Sequence, residues 1–104
     1  MLQRAYLPRY GDFPRARGTK MTEVEILKVI AEWLLEHFDI TVNRVQMTSS
    51  INEDLLLDSL DQVEVVMAIE ETFSVEVDDV VAGQWKTIGD IVRFLAARPV
   101  LAPE

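Results

Sequence analysis

The chain has 104 residues, 18 of them Asp or Glu against 10 Lys or Arg, for a formal charge of -8; that length supports one compact domain with a single core and no cleft between two lobes. It contains no cysteine and one histidine, which excludes thiol catalysis, disulfide staples and Cys- or His-rich metal sites. No apolar run approaches the roughly 18 residues of a membrane span, and a hydrophobic content of 49% belongs to a globular chain, here read as a cytoplasmic one, and not to a disordered one.

Residues 1–20 differ from the rest. Arg4, Arg9, Arg15, Arg17 and Lys20 face a single acid, Asp12, so this segment carries +4 while residues 21–104 carry 5 − 17 = −12. Pro8, Gly11, Pro14 and Gly18 interrupt every helical turn. The segment is expected to be a basic, disordered extension. Three origins for it stand side by side: a leader ahead of a working start at Met21, a tail folding back on the acidic body, or an organelle presequence. A body at −12 repels nucleic acid and anionic lipid and attracts basic protein patches.

From Thr22 the pattern turns helical. Thr22 and Glu25 form a capping box, and Ile26, Leu27, Ile30, Leu34 and Phe38 recur on one face, predicting a helix over about 22–38. Residues 39–57 read as a long polar connection pinned to the core by Ile51, Leu55 and Val45; a connection of that length is usually functional. A second helix starts at Asp58 and runs to about Phe73. Ser74 and the Val75–Val77 alternation break it, Asp78–Ala82 suits one helical turn ended by Gly83, and Thr87 caps a last helix that stops before Pro99. The expected fold is all-α: a small bundle of three long helices and one short one over residues 21–98, followed by a tail at 99–104.

The second helix has two apolar faces. Val65, Val66, Ile69 and Phe73 cluster on one side at 100° per residue, whereas Leu60, Val63 and Met67 cluster nearly opposite, flanked by Glu64, Glu70 and Glu71. A helix packed on one side cannot bury both stripes, so the second reads as an acid-framed docking surface. The alternative is a central helix covered on both sides.

Ser59 sits where the long connection meets the helix amino terminus, a place where free N–H groups and the helix dipole favour a negative group such as a phosphate ester. No G-x-S-x-G elbow surrounds it, and the one histidine, His37, lies inside the first helix as an ordinary surface or half-buried residue, so hydrolysis is rejected. Glu53, Asp54, Asp58 and Asp61 lack the spacing of a calcium loop, and no metal is assigned.

Residues 51–73, INEDLLLDSLDQVEVVMAIEETF, closely resemble the segment around the modification site of acyl carrier proteins, and the likeness extends from about Met21 to Leu95. The resemblance implies a non-enzymatic, monomeric carrier in which Ser59, preceded by Asp58, bears 4′-phosphopantetheine. A separate phosphopantetheinyl transferase would attach it from coenzyme A. The arm's thiol would hold acyl intermediates as thioesters for enzymes of fatty acid, specialised lipid or polyketide synthesis, which also accounts for a chain without cysteine. It implies that partners with basic patches grip Leu60, Val63, Glu64, Met67 and Glu70 or Glu71, and that Val66, Ile69 and Phe73 line a space for a short acyl chain, with plain core as the other reading of those three. The competing class is an acidic interaction module with Ser59 unmodified. Leu56 stands where the family usually has glycine, so the loop entering Ser59 is expected to bend differently; V-E-V-D-D after Phe73 and Trp85 are further departures.

Overall fold

The computed structural model describes residues 21–98; the basic extension at 1–20 and the tail at 99–104 lie outside the described residues. Thr22 caps α1 (Glu23–Phe38), its hydroxyl accepting the Glu25 N–H while the Glu25 carboxylate accepts the Thr22 N–H. Asp39, in the left-handed region at φ 58°, ends it, as a short polar residue readily does. A single 3-10 turn, Val42–Arg44, follows. Then come α2 (Ser59–Phe73), the short α3 (Asp79–Gly83) and α4 (Ile88–Ala96). Three long helices and one short one form the bundle, with no strand among the described residues.

The apolar face of α1 is wider than its strongest repeat indicated. Ile26, Ile30 and Leu34 are buried, but Leu27 and Phe38 are only half-buried, and Val29, Ala31 and Trp33 complete the buried arc. The physical reason is that α1 is covered twice. It packs against α4, and Val29, Ile30 and Trp33 close on Val65, Ile69 and Phe73 of α2 across a void of only about 20 Å³.

The long connection between α1 and α2 is part of the core. Ile40, Val45, Ile51, Leu55 and Leu57 are all buried in it, each such side chain contributing roughly 1.5–3 kcal/mol by leaving water. Its backbone is sewn to the start of α4. The Ile51 N–H donates to the Lys86 carbonyl (2.9 Å), Ile88 N–H to the Ser49 carbonyl (3.0 Å) and Gly89 N–H to the Met47 carbonyl (2.8 Å), and Ser50 pairs with Thr87 in an isolated antiparallel bridge. A helix leaves its first N–H groups without internal acceptors; here α4 spends two of them on the loop. The third, from Asp90, goes to the Thr87 hydroxyl at 3.2 Å.

Two residues hold this seam. Asp90 accepts the N–H groups of Lys86 (2.8 Å) and Thr87 (3.1 Å) and pairs with Arg93 at 3.1 Å. The backbone bonds from Lys86 and Thr87, with smaller help from Arg93, hold its carboxyl below the ordinary value of 3.8. Gly89 lets the strands of backbone close up: a methyl group there would stand 2.6 Å from the Met47 carbonyl oxygen.

Gly89→Ala is therefore expected to lower stability by about 2 kcal/mol in urea denaturation, because the carbonyl it meets is backbone held by the seam. Asp90→Asn is expected to destabilise the protein at neutral pH. Because the folded carboxyl is more acidic than the unfolded one, its contribution is present above pH 3.8 and lost as pH falls through the depressed value. The gap between native and variant should close there in denaturation curves taken across pH.

Candidate functional site

The loop delivers the chain to α2 through a short, heavily bonded turn. Asp54 accepts the Ser50 N–H at 2.7 Å, Ser50 Oγ accepts the Glu53 N–H at 3.0 Å, and the Asn52 amide donates to the Leu57 carbonyl at 2.8 Å. Leu57 N–H returns to the Ile51 carbonyl at 3.1 Å. Leu55 and Leu57 both enter the core while Leu56 between them is exposed, at φ 59°. Leu56 takes up the left-handed geometry that glycine adopts freely, because two buried neighbours and the Leu57 hydrogen bonds leave the chain no other path.

Asp58 is the N-cap of α2. Its carboxylate accepts the Asp61 N–H at 2.9 Å, and the Asp61 carboxylate accepts the Asp58 N–H at 3.1 Å. This capping box makes Ser59 the first helical residue. Ser59 is exposed, and among the described residues no acceptor meets its N–H or that of Leu60, the free amides that a helix start offers to an anion. The capping role of Asp61 is legible in the D-S-L-D spacing, acid to acid three residues apart.

The two faces of α2 are divided by burial. Val65, Ile69 and Phe73 are buried, whereas Leu60 (75%), Met67 (60%) and Val63 (55%) are exposed. The picture of a helix covered on both sides does not hold. Glu64 and Glu71 are exposed along the open stripe. Glu70, beside Val63 and Met67 at the groove, is half-buried and accepts the Val77 N–H at 2.9 Å, which ties down the chain after α2.

Ser59 opens onto a groove of about 440 Å³ between α2 and α3, bordered by Gln62, Val63, Val66, Met67, Val77 and Ala82 among others. That volume lies in the range of small-molecule sites. Val66 lines it, but Ile69 and Phe73 do not. They face α1 around the separate 20 Å³ void, because at 100° per residue they point to the opposite side of the helix from Val63 and Met67. Gln62, Val77 and Ala82 were not anticipated; two of the three come from the α3 region, which no α2 periodicity reports. Beneath the groove, Trp85 is buried against Phe94 (ring centroids 5.3 Å, edge-on), and the void it borders with Val66 and Leu57 is again only about 20 Å³, enough for one water.

His37 is exposed on α1, stacked on Trp33 at 4.2 Å with Nδ1 against the Trp33 carbonyl. No group of three His, Cys, Asp or Glu side chains among the described residues has the arrangement of a metal site; Asp54, Asp58 and Asp61 hold backbone amides instead.

Residues 25–95 match the family model described as the phosphopantetheine attachment site. The chain is 39% identical over 74 residues to the acyl carrier protein of Phenylobacterium zucineum, covering 71% of this chain and 94% of that one. It is 38% identical over 78 residues to the acyl carrier protein of Prochlorococcus marinus, covering 75% and 98%. The chain belongs to the acyl carrier protein family. A solved structure of the acyl carrier protein from Enterococcus faecalis superposes with a TM-score of 0.63 at 32% identity, covering 74% of this chain and 98% of that one. The chain is a carrier whose prosthetic group is a covalently bound 4′-phosphopantetheine, and the alternative of an interaction module without one falls. The residues fit such a group: an exposed hydroxyl at a helix start with free amides for the phosphate, beside an apolar groove. When bound, the arm supplies the thiol that the chain lacks.

In this carrier Asp58→Ala removes the cap that sets where α2 begins. It should cost about 1 kcal/mol in urea denaturation, while Asp58→Asn, which can still accept the Asp61 N–H, should lose only a few tenths.

Proposed function

We propose that Ser59 is the attachment point. A phosphopantetheinyl transferase joins the Ser59 oxygen to the phosphorus of the pantetheine phosphate in coenzyme A, the hydroxyl proton leaves, and the bond to the nucleotide portion breaks. The observation that carries this reading is the position of Ser59: an exposed hydroxyl in the first turn of α2, held by the Asp58–Asp61 box at the mouth of the α2–α3 groove. Among the described residues no other serine or threonine combines a free helix start with an adjoining groove. Ser49 is buried with its hydroxyl engaged, and Thr22 and Thr87 spend theirs on capping.

Partner enzymes with basic patches dock on Leu60, Val63, Glu64, Met67 and Glu71. Glu70 is left out because its carboxylate is engaged internally. From residue 45 to residue 85 there are ten acids and no Lys or Arg, so this whole side of the carrier draws in a basic surface, with steering that fades as salt rises. The chain performs no catalysis itself; it presents thioesters, as a cytoplasmic monomer, to enzymes of fatty acid, specialised lipid or polyketide synthesis. Val66 and the α2–α3 groove offer a resting place for the acyl chain near the arm.

The test is intact mass after incubation with coenzyme A and a phosphopantetheinyl transferase. The native protein is expected to gain one phosphopantetheinyl group and Ser59→Ala none. A folded native protein that stays bare, or a loaded Ser59→Ala, contradicts the assignment.

A further inference from the structure

Leu56 is disfavoured by everything inside the molecule. Its φ of 59° places a γ-branched residue in the left-handed region, where an L side chain is strained and glycine is not. The other two non-glycine residues with positive φ, Asp39 and Ser74, are short, polar and serve as helix C-caps. Leu56 caps nothing. Its side chain is 74% exposed, so burial returns little for the strain, and its apolar surface is left in water.

Its surroundings suit a contact with another protein. Leu56 precedes Ser59 by three residues, which places the two Cα atoms within roughly 11 Å of each other. Leu60, Val63 and Met67 continue the exposed apolar surface along α2. Glu53, Asp54, Asp58 and Glu64, all exposed, lie within eight residues of Leu56 along the chain. The nearest preceding base, Arg44, has its guanidinium on the Asp54 carbonyl at 2.6 Å.

We propose that Leu56 is a partner-contact residue, presented by its strained loop to an apolar socket rimmed by Lys and Arg on the phosphopantetheinyl transferase, and that it sets how tightly this carrier is gripped. The inference rests on the reading of Ser59 as the attachment point. Entry into the socket takes the exposed leucine out of water, and an apolar anchor buried at the centre of a charged rim carries a large share of binding.

The experiment is steady-state loading by a phosphopantetheinyl transferase with coenzyme A, varying the carrier, alongside thermal melting. Leu56→Gly and Leu56→Asn, both of which tolerate the backbone geometry, are expected to raise KM for the carrier about tenfold with kcat unchanged, and Leu56→Met to stay near native. Leu56→Gly should at the same time melt a few degrees higher, so a loss of folding cannot explain weaker docking. An unchanged KM in Leu56→Gly and Leu56→Asn overturns the inference while leaving Ser59 as the attachment point. Failure of the native carrier to load overturns both.

Discussion

The seam between the loop at 47–51 and the start of α4 is the constraint on which the site depends. Helix α1 and helix α2, which begins at Ser59, are separated by twenty residues, long enough to wander in solvent. They do not wander, because the first free amides of α4 are donated to the Met47 and Ser49 carbonyls and the Ile51 amide is taken by Lys86. Gly89 permits that approach and Asp90 locks the turn on its far side. One set of bonds satisfies a helix terminus and anchors a loop at once. Ser59 thus emerges from a frame continuous with the core.

Helix α2 then divides its labour by angle. Val65, Ile69 and Phe73 close on α1, Val66 and Gln62 border the groove toward α3, and Leu60, Val63 and Met67 stay exposed, the last two along the groove's rim. An apolar stripe left in water loses stability for the isolated domain, and it is kept soluble by the exposed carboxylates of Glu64 and Glu71 beside it. The same carboxylates select what approaches. With no cation between residues 45 and 85, a partner of like charge is repelled and a basic one is drawn to the side that carries the serine.

Much of this was legible in the residues. The Thr22–Glu25 box, the caps at Asp58 and Thr87, the opposed stripes of α2 and the pinning role of Val45, Ile51 and Leu55 follow from local chemistry and period, which one chain displays by itself. What was not legible depends on other elements. Val29 and Trp33 join the buried arc only because α2 and α4 both lean on α1. Ile69 and Phe73 face the α1 side and not the groove, and nothing within α2 tells one cavity from another. Glu70 looks like its neighbour Glu71 until the return of the chain puts the Val77 amide against it. Leu56 is the instructive case: a propensity rule disfavours leucine in the left-handed region, and burial of Leu55 and Leu57 on either side holds it there.

The claim that the long connection belongs to the core is tested most directly by amide hydrogen exchange at Ile51, Ile88 and Gly89. These three amides are predicted to exchange as slowly as those of buried residues in α1, opening only with the whole domain, and to accelerate together in Gly89→Ala. Exchange at rates typical of an exposed loop, with α1 still protected, would show that the serine is presented by a frame far looser than the one described.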